Sequence, residues 1–418
     1  MEKKINILVI TTDIRGGVGF FRCIQPHEQL KRQYPDKFNI TIETQPDFGN
    51  IEKYGMYDIV CFHKGIYTFE EGLNNLLTYC REHGIITIMD IDDYWVLGTH
   101  HPNQGIGGNS KPAAQKVTAL FKQVDYVTTT TDIFANSIKP FNKNVKVFPN
   151  AINPTDSRFT VNRQPSEKLR FGMIMGSTHL FDLNTMSGFM GKLPADIRGK
   201  MEFVLCGFDT RGVVRMYNKD TGKEEQRQMR PEETVWYQYE KIVTEDYKYI
   251  SPMYKSFLLR FMPQVQYPYA DAEGYKRRWT LPIDKYFQHY NDIDVLLAPL
   301  ESNDFNRHKS QLKAIECAFS HTAFIGSDFG PYQIDLRSML KKGGDVDMTA
   351  NAILIDNNKA HKDWSKAIEK LVKNPDMVTA LQENLYNDYK DKYDLRNITD
   401  DRAAFYTEII NNKNITRQ

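Results

Sequence analysis

Short runs of apolar residues alternate along this chain with longer stretches in which apolar positions recur every three or four residues. Residues 5–10 form the first run, and 40–43, 59–62, 85–90, 126–130 and 145–148 repeat it. Residues 20–33, 72–82, 113–122 and 134–138 between them carry helical spacing. Strands alternating with helices predict a parallel sheet covered on both faces. Residues 150–167 hold Asn, Pro, Ser and Asp without apolar periodicity and read as a linker. The rhythm then restarts, with strands expected at 169–175, 203–206, 295–298 and 323–325 and helices at 311–319 and 362–371. The fold class is therefore α/β: two Rossmann-like domains facing across a cleft, with ligands gathering at the carboxyl ends of the strands. Residues 209–280 are long, charged and rich in Tyr and Arg where one helix would suffice, and read as an insertion. Residues 400–410 are helical in pattern and follow the second sheet. The expected layout is a domain over 1–155, a second over 165–395 carrying the insertion 209–280, and a terminal helix within 396–418.

Composition agrees. The 418 residues exceed one ordinary domain, and two of roughly 150–200 residues are the natural division. Hydrophobic residues at 41% and charged residues at 26% are ordinary for a packed core. A formal net charge of +1 provides no global basic field, so nucleic acid is not an expected partner. The five cysteines are odd in number and widely spaced, without a Cys-x-x-Cys pair. That argues against a disulfide framework or a zinc site and for the reduced thiols of a cytoplasmic protein. The apolar run after Met1-Glu2-Lys3-Lys4 is too short for a signal-peptide core. No stretch of about 20 apolar residues could span a membrane.

Four segments could carry chemistry. Arg15-Gly16-Gly17-Val18-Gly19 links the first strand to a helix. Glycines there let backbone amides approach an anion at a helix start. The third glycine of a dinucleotide fingerprint is absent, and a tight turn without a ligand is the competing reading. Asp90-Ile91-Asp92-Asp93-Tyr94-Trp95 follows a strand, and its carboxylates could hold a cation, a sugar hydroxyl or a basic acceptor; they could also cap a following helix. No metal site is assigned to them. Gly176-Ser177-Thr178-His179 follows the first strand of the second domain. It suits a phosphate, unless Ser177 or Thr178 is a plain N-cap. The richest segment runs from Asp294 to Tyr332. A buried strand ends in Pro299 and opens the basic loop Phe305-Asn306-Arg307-His308-Lys309-Ser310, and a helix follows. Lys309 and Lys313 are four apart and share a face, with Glu316 three beyond. Cations near a helix start suit a diphosphate, and a carboxylate one turn on suits ribose hydroxyls. A solvated Lys/Glu helix face would look the same.

At these residues the sequence resembles the GT-B glycosyltransferases of family four, also called group one. Gly16 and Gly17 with Arg22 look like that family's glycine loop and the helix behind it. Asp90 to Trp95 looks like the acidic turn of one bacterial branch, and Gly176 to Asp182 resembles that branch's Gly-Ser-x-x-His-x-x-Asp loop. Val147-Phe148-Pro149-Asn150-Ala151-Ile152 is similar to the exit from the first domain. Phe305 to Glu316, with Gly326 to Tyr332, resembles the donor site.

The resemblance implies transfer of a sugar from a nucleotide diphosphate sugar to a saccharide or lipid-linked acceptor, with retention and without a metal or bound cofactor. It implies a terminal helix that returns to the first domain. It assigns Gly16, Gly17, Gly176, Ser177, Thr178, His179, Arg307, Lys309, Ser310, Lys313 and Glu316 to the donor. Asp90, Asp93 and Trp95 fall to the acceptor, and His63, Asp92 and His308 to catalysis; a satisfied structural role is the other reading of His63.

The family commonly shows two glutamates eight positions apart. Glu316 matches the second, while the first falls on His308, so its role near the donor sugar would pass to His308 or to Asn306 and backbone amides. The usual Arg–Lys pair after the second domain's first strand is replaced by residues 176–179, so phosphate neutralisation would fall to Arg307, Lys309 or Lys313. The insertion carries Tyr247, Tyr249, Tyr254, Lys255, Arg260, Tyr267, Tyr269, Arg277, Arg278 and Trp279. Aromatic and basic residues together suit peripheral contact with an anionic membrane face, a sugar site or simple packing. A sugar-nucleotide epimerase, a non-catalytic module of the same architecture and, more remotely, a nicotinamide-dependent oxidoreductase using Glu43 are the competing functions.

Overall fold

The computed structural model describes residues 3–98, His101, 111–209, 212–218, 222–230, 233–244, 271–272, 274–341 and 343–416. The chain divides into two compact units. The first comprises residues 1–157, 303–316 and 388–418, and the second comprises 158–302 and 317–387.

The first unit is built on six parallel strands: β1 (Ile5–Ile10), β2 (Phe38–Glu43), β3 (Ile59–His63), β4 (Ile86–Asp90), β5 (Tyr126–Thr129) and β6 (Val145–Val147), in the order β2-β1-β3-β4-β5-β6. Side chains alternate between the faces of each strand, and both faces are buried. Leu8, Ile10, Val60 and Phe62 enter one core with Leu73, Leu76 and Leu77. Ile7, Val9, Ile59 and Cys61 enter another. Hence these strands read as continuous apolar runs rather than as alternating ones. The helices include α1 (Gln25–Gln33), α2 (Glu70–Glu82), α3 (Lys111–Gln123) and α4 (Asp132–Ile138). A π-helical turn, Gly19–Ile24, precedes α1. The helix Leu395–Thr416 belongs to this unit, and its Leu395, Ile398, Phe405, Tyr406 and Ile409 pack into the second core. The segment expected to be a linker is partly core as well, since Ala151 and Ile152 are buried.

The second unit holds β7 (Leu169–Ile174), β8 (Met201–Phe208), β9 (Val213–Asn218), β10 (Lys223–Gln228), β11 (Asp271–Ala272), β12 (Tyr275–Trp279), β13 (Val295–Ala298), β14 (Ala323–Ser327) and β15 (Ile353–Ile355). Its main sheet has the order β11-β12-β8-β7-β13-β14-β15, parallel except for the β11–β12 pair. Here the structure corrects the sequence reading. The expected insertion contains the hairpin β9–β10 and the helix Val235–Thr244, and it ends in β12, which is paired in parallel with β8. The pattern hid β12 because it reads Tyr-Lys-Arg-Arg-Trp. Arg277 nevertheless faces inward, paired with the fully buried Glu240. The residues Tyr247, Tyr249, Tyr254, Lys255, Arg260, Tyr267 and Tyr269 lie outside the described residues. Of the remaining membrane candidates, Arg277 is buried, Arg278 pairs with Asp292 at 2.6 Å, and Trp279 is exposed. No helix among the described residues is long and apolar enough to cross a membrane. All five cysteines are buried free thiols.

Candidate functional site

In a doubly wound sheet, ligands gather at the carboxyl ends of the strands where the strand order reverses. In the first unit that point lies between β1 and β3, where the glycine loop and His63 emerge. The glycine loop is already occupied by a carboxylate of its own: Gly16 N–H donates to Asp13 Oδ1 at 2.7 Å and Gly19 N–H to Asp13 Oδ2 at 3.2 Å. A side chain at Gly16 or Gly19 would strike Asp13 itself, which accounts for the glycines. Gly17 is exposed. An external anion at Gly16 would therefore have to displace Asp13, whose role the sequence reading missed.

The acidic turn divides by environment. Residues 91–98, which come directly after the strand, hold no helix, so none of these carboxylates caps one there. Asp90, in register with His63, is buried and takes a bidentate pair from Arg22 at 3.0 and 2.8 Å, with Thr128 Oγ1 donating at 2.7 Å. Its oxygens are therefore spent inside the unit rather than offered to an acceptor. Arg22, on the π-helical turn, also donates to Phe148 O at 2.7 Å and to Asn150 Oδ1 at 3.1 Å. Burial works against the charged guanidinium, but Asp90 outweighs it and raises the Arg22 pKa. Trp95 is half-buried, and its indole N–H donates to Thr118 Oγ1 at 3.0 Å. Its ring packs on Phe121, so it too serves the core.

Asp92 and His63 do come together, with Nε2 3.2 Å from Asp92 Oδ1. The Gly65 amide donates to His63 Nδ1 at 3.1 Å. A nitrogen that accepts carries no proton, so the proton sits on Nε2 and is donated to Asp92. Burial pushes the Asp92 carboxyl up, but the hydrogen bond from His63 and the charges of Lys64 and Arg22 hold it below the usual carboxylate range. Asp93 is less buried. Lys64 Nζ donates to its carbonyl at 2.7 Å, and Lys309 Nζ lies 3.8 Å from its carboxylate.

The basic loop starts from Asn303, whose side chain caps a short turn by accepting from Asn306 N at 2.8 Å. His308 is buried. Its Nδ1 donates to Asp304 O at 2.6 Å, its Nε2 lies 2.8 Å from Ser137 Oγ, and its ring stacks on Tyr94 at 4.2 Å. Both nitrogens are thus bonded within the unit, and the imidazole packs against Tyr94. Ser310 Oγ accepts from Asn150 Nδ2 at 2.9 Å, which links the loop to the Arg22 cluster. Glu316 is buried, with Lys313 Nζ at 2.7 Å. Lys309 lies over the Phe305 ring at 4.8 Å, and Arg307 is half exposed.

In the second unit the order reverses between β7 and β13, which places residues 176–179 and 299–302 at the corresponding point. Neither Ser177 nor Thr178 caps the short helix Leu180–Asn184; His179 holds that position. The Tyr239 hydroxyl accepts from His179 N at 2.8 Å and donates to Gly176 O at 3.1 Å. His179 Nδ1 lies 2.7 Å from Asp182 Oδ2, and Asp182 Oδ1 accepts from Glu301 N at 2.8 Å. Asp182 was legible only as the last member of the His-x-x-Asp spacing. Tyr239 gave no signal, lying in the stretch read as an insertion. Among the described residues, no group of three or more His, Cys, Asp and Glu side chains gathers as metal ligands would.

No protein-family profile matches this chain, and no curated protein sequence does. Solved structures match it along almost its whole length. Sucrose-phosphate synthase from Thermosynechococcus elongatus gives a TM-score of 0.61 at 12% identity, over 97% of this chain and 99% of that one. HepE from Anabaena, in complex with UDP and glucose, gives 0.61 at 9% identity, over 96% and 99%. A glycosyltransferase from Rickettsia africae gives 0.58 at 9% identity, over 98% and 99%. The chain thus has the GT-B fold of glycosyltransferases, two Rossmann-like sheets and a terminal helix that packs on the first.

Proposed function

We propose that the chain is a glycosyltransferase that moves a sugar from a nucleotide diphosphate sugar to a glycan, lipid-linked or other acceptor, with retention and without a metal. One observation carries this reading: the whole-length match to structures such as HepE, which has been solved with UDP-glucose. In glycosyl transfer the sugar becomes oxocarbenium-like while negative charge builds on the leaving diphosphate. Arg307, Lys309 and Lys313 lie on one short segment and are the cations to receive that charge. Glu316, buried beside Lys313, is the carboxylate for the donor's ribose hydroxyls. Asp92, held anionic and oriented by His63, is the group to face the developing positive charge. We place the activity in the cytoplasm, at or near a membrane face if the acceptor is lipid-linked.

Calorimetric titration with UDP, GDP, ADP and a nicotinamide dinucleotide, on wild type and Glu316→Ala, tests the reading. One diphosphate binds, and Glu316→Ala weakens it by about 1–3 kcal/mol, the loss of a charged hydrogen bond. Binding of the dinucleotide alone would sink the transferase reading. The burial of His308 favours a second reading, a module that binds donor without turnover. Tight binding of a nucleotide sugar that is neither transferred nor hydrolysed would establish it.

A further inference from the structure

We infer that the second unit carries a further ligand site, at the amino ends of its strands, for a small organic anion with an apolar body, a carboxylate or a phosphate monoester. A cavity of about 550 Å³ opens there, within the size range of small-molecule sites. It is bounded by Leu169 at the start of β7, by Lys200 and Asp294 directly before β8 and β13, and by the helices Ala360–Lys373 and Pro375–Tyr389. Residues 176–179 and 299–302 leave the opposite, carboxyl ends of β7 and β13. The cavity is therefore separate from the strand ends at which doubly wound sheets ordinarily bind ligands.

Its lining suits both halves of such a ligand. Leu169, Leu371, Val372 and Val378 offer an apolar wall, against which an apolar body is favourably buried. The charged lining groups are four cations, Arg163, Lys168, Arg170 and Lys200, and two carboxylates, Glu167 and Asp294. Glu167 is exposed, so water screens it. Asp294 is already taken: Arg170 Nε and Nη2 donate to it at 2.9 and 2.8 Å, while Arg163 Nε lies farther off at 3.8 Å. Arg163 donates instead to neutral oxygens, the carbonyls of Tyr290, Ser320 and His321 and the Thr322 hydroxyl. Two largely buried guanidiniums thus share one carboxylate, and one positive charge stays unbalanced. Burial lowers the Arg163 pKa; Asp294 pulls it back up, and repulsion from Arg170 takes part of that away. An unbalanced charge withdrawn from water is costly, and an anion in the cavity relieves it. The ammonium groups of Lys168 and Lys200 meet no partner among the described residues and are there to bind the anion directly. The helix Pro375–Tyr389 brings its first turn to the cavity with Pro375 and Val378, and the positive end of a helix favours the same charge.

Calorimetry on the full chain tests the site with three probes of similar apolar body: naphthyl phosphate, naphthylacetate and the neutral naphthylmethanol. Wild type binds at least one of the anions about tenfold more tightly than the neutral probe, and the tighter of the two names the head group. In the double variant Lys168→Gln, Lys200→Gln the anions weaken about tenfold, while the neutral probe is unchanged. Thr379→Trp sets a bulky ring in the lining of the cavity and abolishes binding of all three. Lys200 and Thr379 are exposed and Lys168 is half-buried, so these changes leave the core intact. A wild type that binds neither anion better than naphthylmethanol would overturn the inference. So would anion binding that survives Thr379→Trp, because it would lie elsewhere on the molecule. None of these outcomes bears on the transferase reading, which the nucleotide titration tests separately.

Discussion

Individual side chains in this protein are decided by what else is buried with them. His27 illustrates it in the first unit. Its Nδ1 donates to Cys23 O at 2.6 Å, and its Nε2 lies 2.9 Å from the Tyr406 hydroxyl. Burial, then the charge of Arg402, lowers its pKa to about 3. The unfolded chain titrates its histidine near about 6.5, so below that pH the unfolded state binds a proton that the folded state refuses. Stability therefore falls as pH drops from about 6.5 toward 3, at up to about 1.4 kcal/mol per pH unit from this group. Thermal melts across that window should show a shallower acid-side slope in His27→Gln than in wild type. Parallel slopes would mean that His27 carries a charge in the fold. The same logic separates Asp90 from Asp92. They are two residues apart, yet one is consumed by Arg22 and the other is held by His63 beside the end of β3.

At the scale of elements, the second sheet has an edge that the apolar pattern did not announce. β12 is held by Arg277, whose guanidinium meets Glu240 from the helix Val235–Thr244 and lies over the Phe208 ring at 4.2 Å. Tyr275 donates to the same carboxylate at 2.8 Å. Removing one partner of a buried pair leaves an uncompensated charge, so Glu240→Ala should cost about 3–5 kcal/mol. Urea denaturation measures this, and a cost below about 1 kcal/mol, the level of an exposed pair, would show that the strand is held by its backbone alone. Other elements were read almost to the residue. β1 and β13 were expected where they stand, because parallel strands buried on both faces must be apolar throughout. The helix Pro375–Tyr389 and the short strand β15 were not expected. The first carries many polar residues between its apolar ones, and the second is too short to set a period.

At the scale of the whole molecule, a donor that binds only the folded chain must stabilise it. At a hundredfold excess over its dissociation constant the gain is about 2.7 kcal/mol. The nucleoside diphosphate that binds in calorimetry should therefore raise the thermal midpoint of wild type by a few degrees, and by less in Glu316→Ala. An equal shift in both would remove Glu316 from the donor site. The C-terminal helix carries the other lesson of this scale. Its pattern announced a helix, but that it completes the core of the first unit through Phe405, Tyr406 and Ile409 is a long-range fact.

The sequence by itself determined the two α/β units, most strand positions and the loops that emerge at the strand ends. Hydrophobic periodicity and glycine placement are local properties that one segment states alone. Only the tertiary structure decided which polar residues remain available for chemistry. It filled the glycine loop with Asp13, buried Asp90 under Arg22 and bonded both nitrogens of His308, while Nε2 of His179 meets no hydrogen-bond partner among the described residues. The physical reason is that availability depends on a partner. A carboxylate or an imidazole is written in the chain at one position, and the group that satisfies it is brought from a distant one by folding.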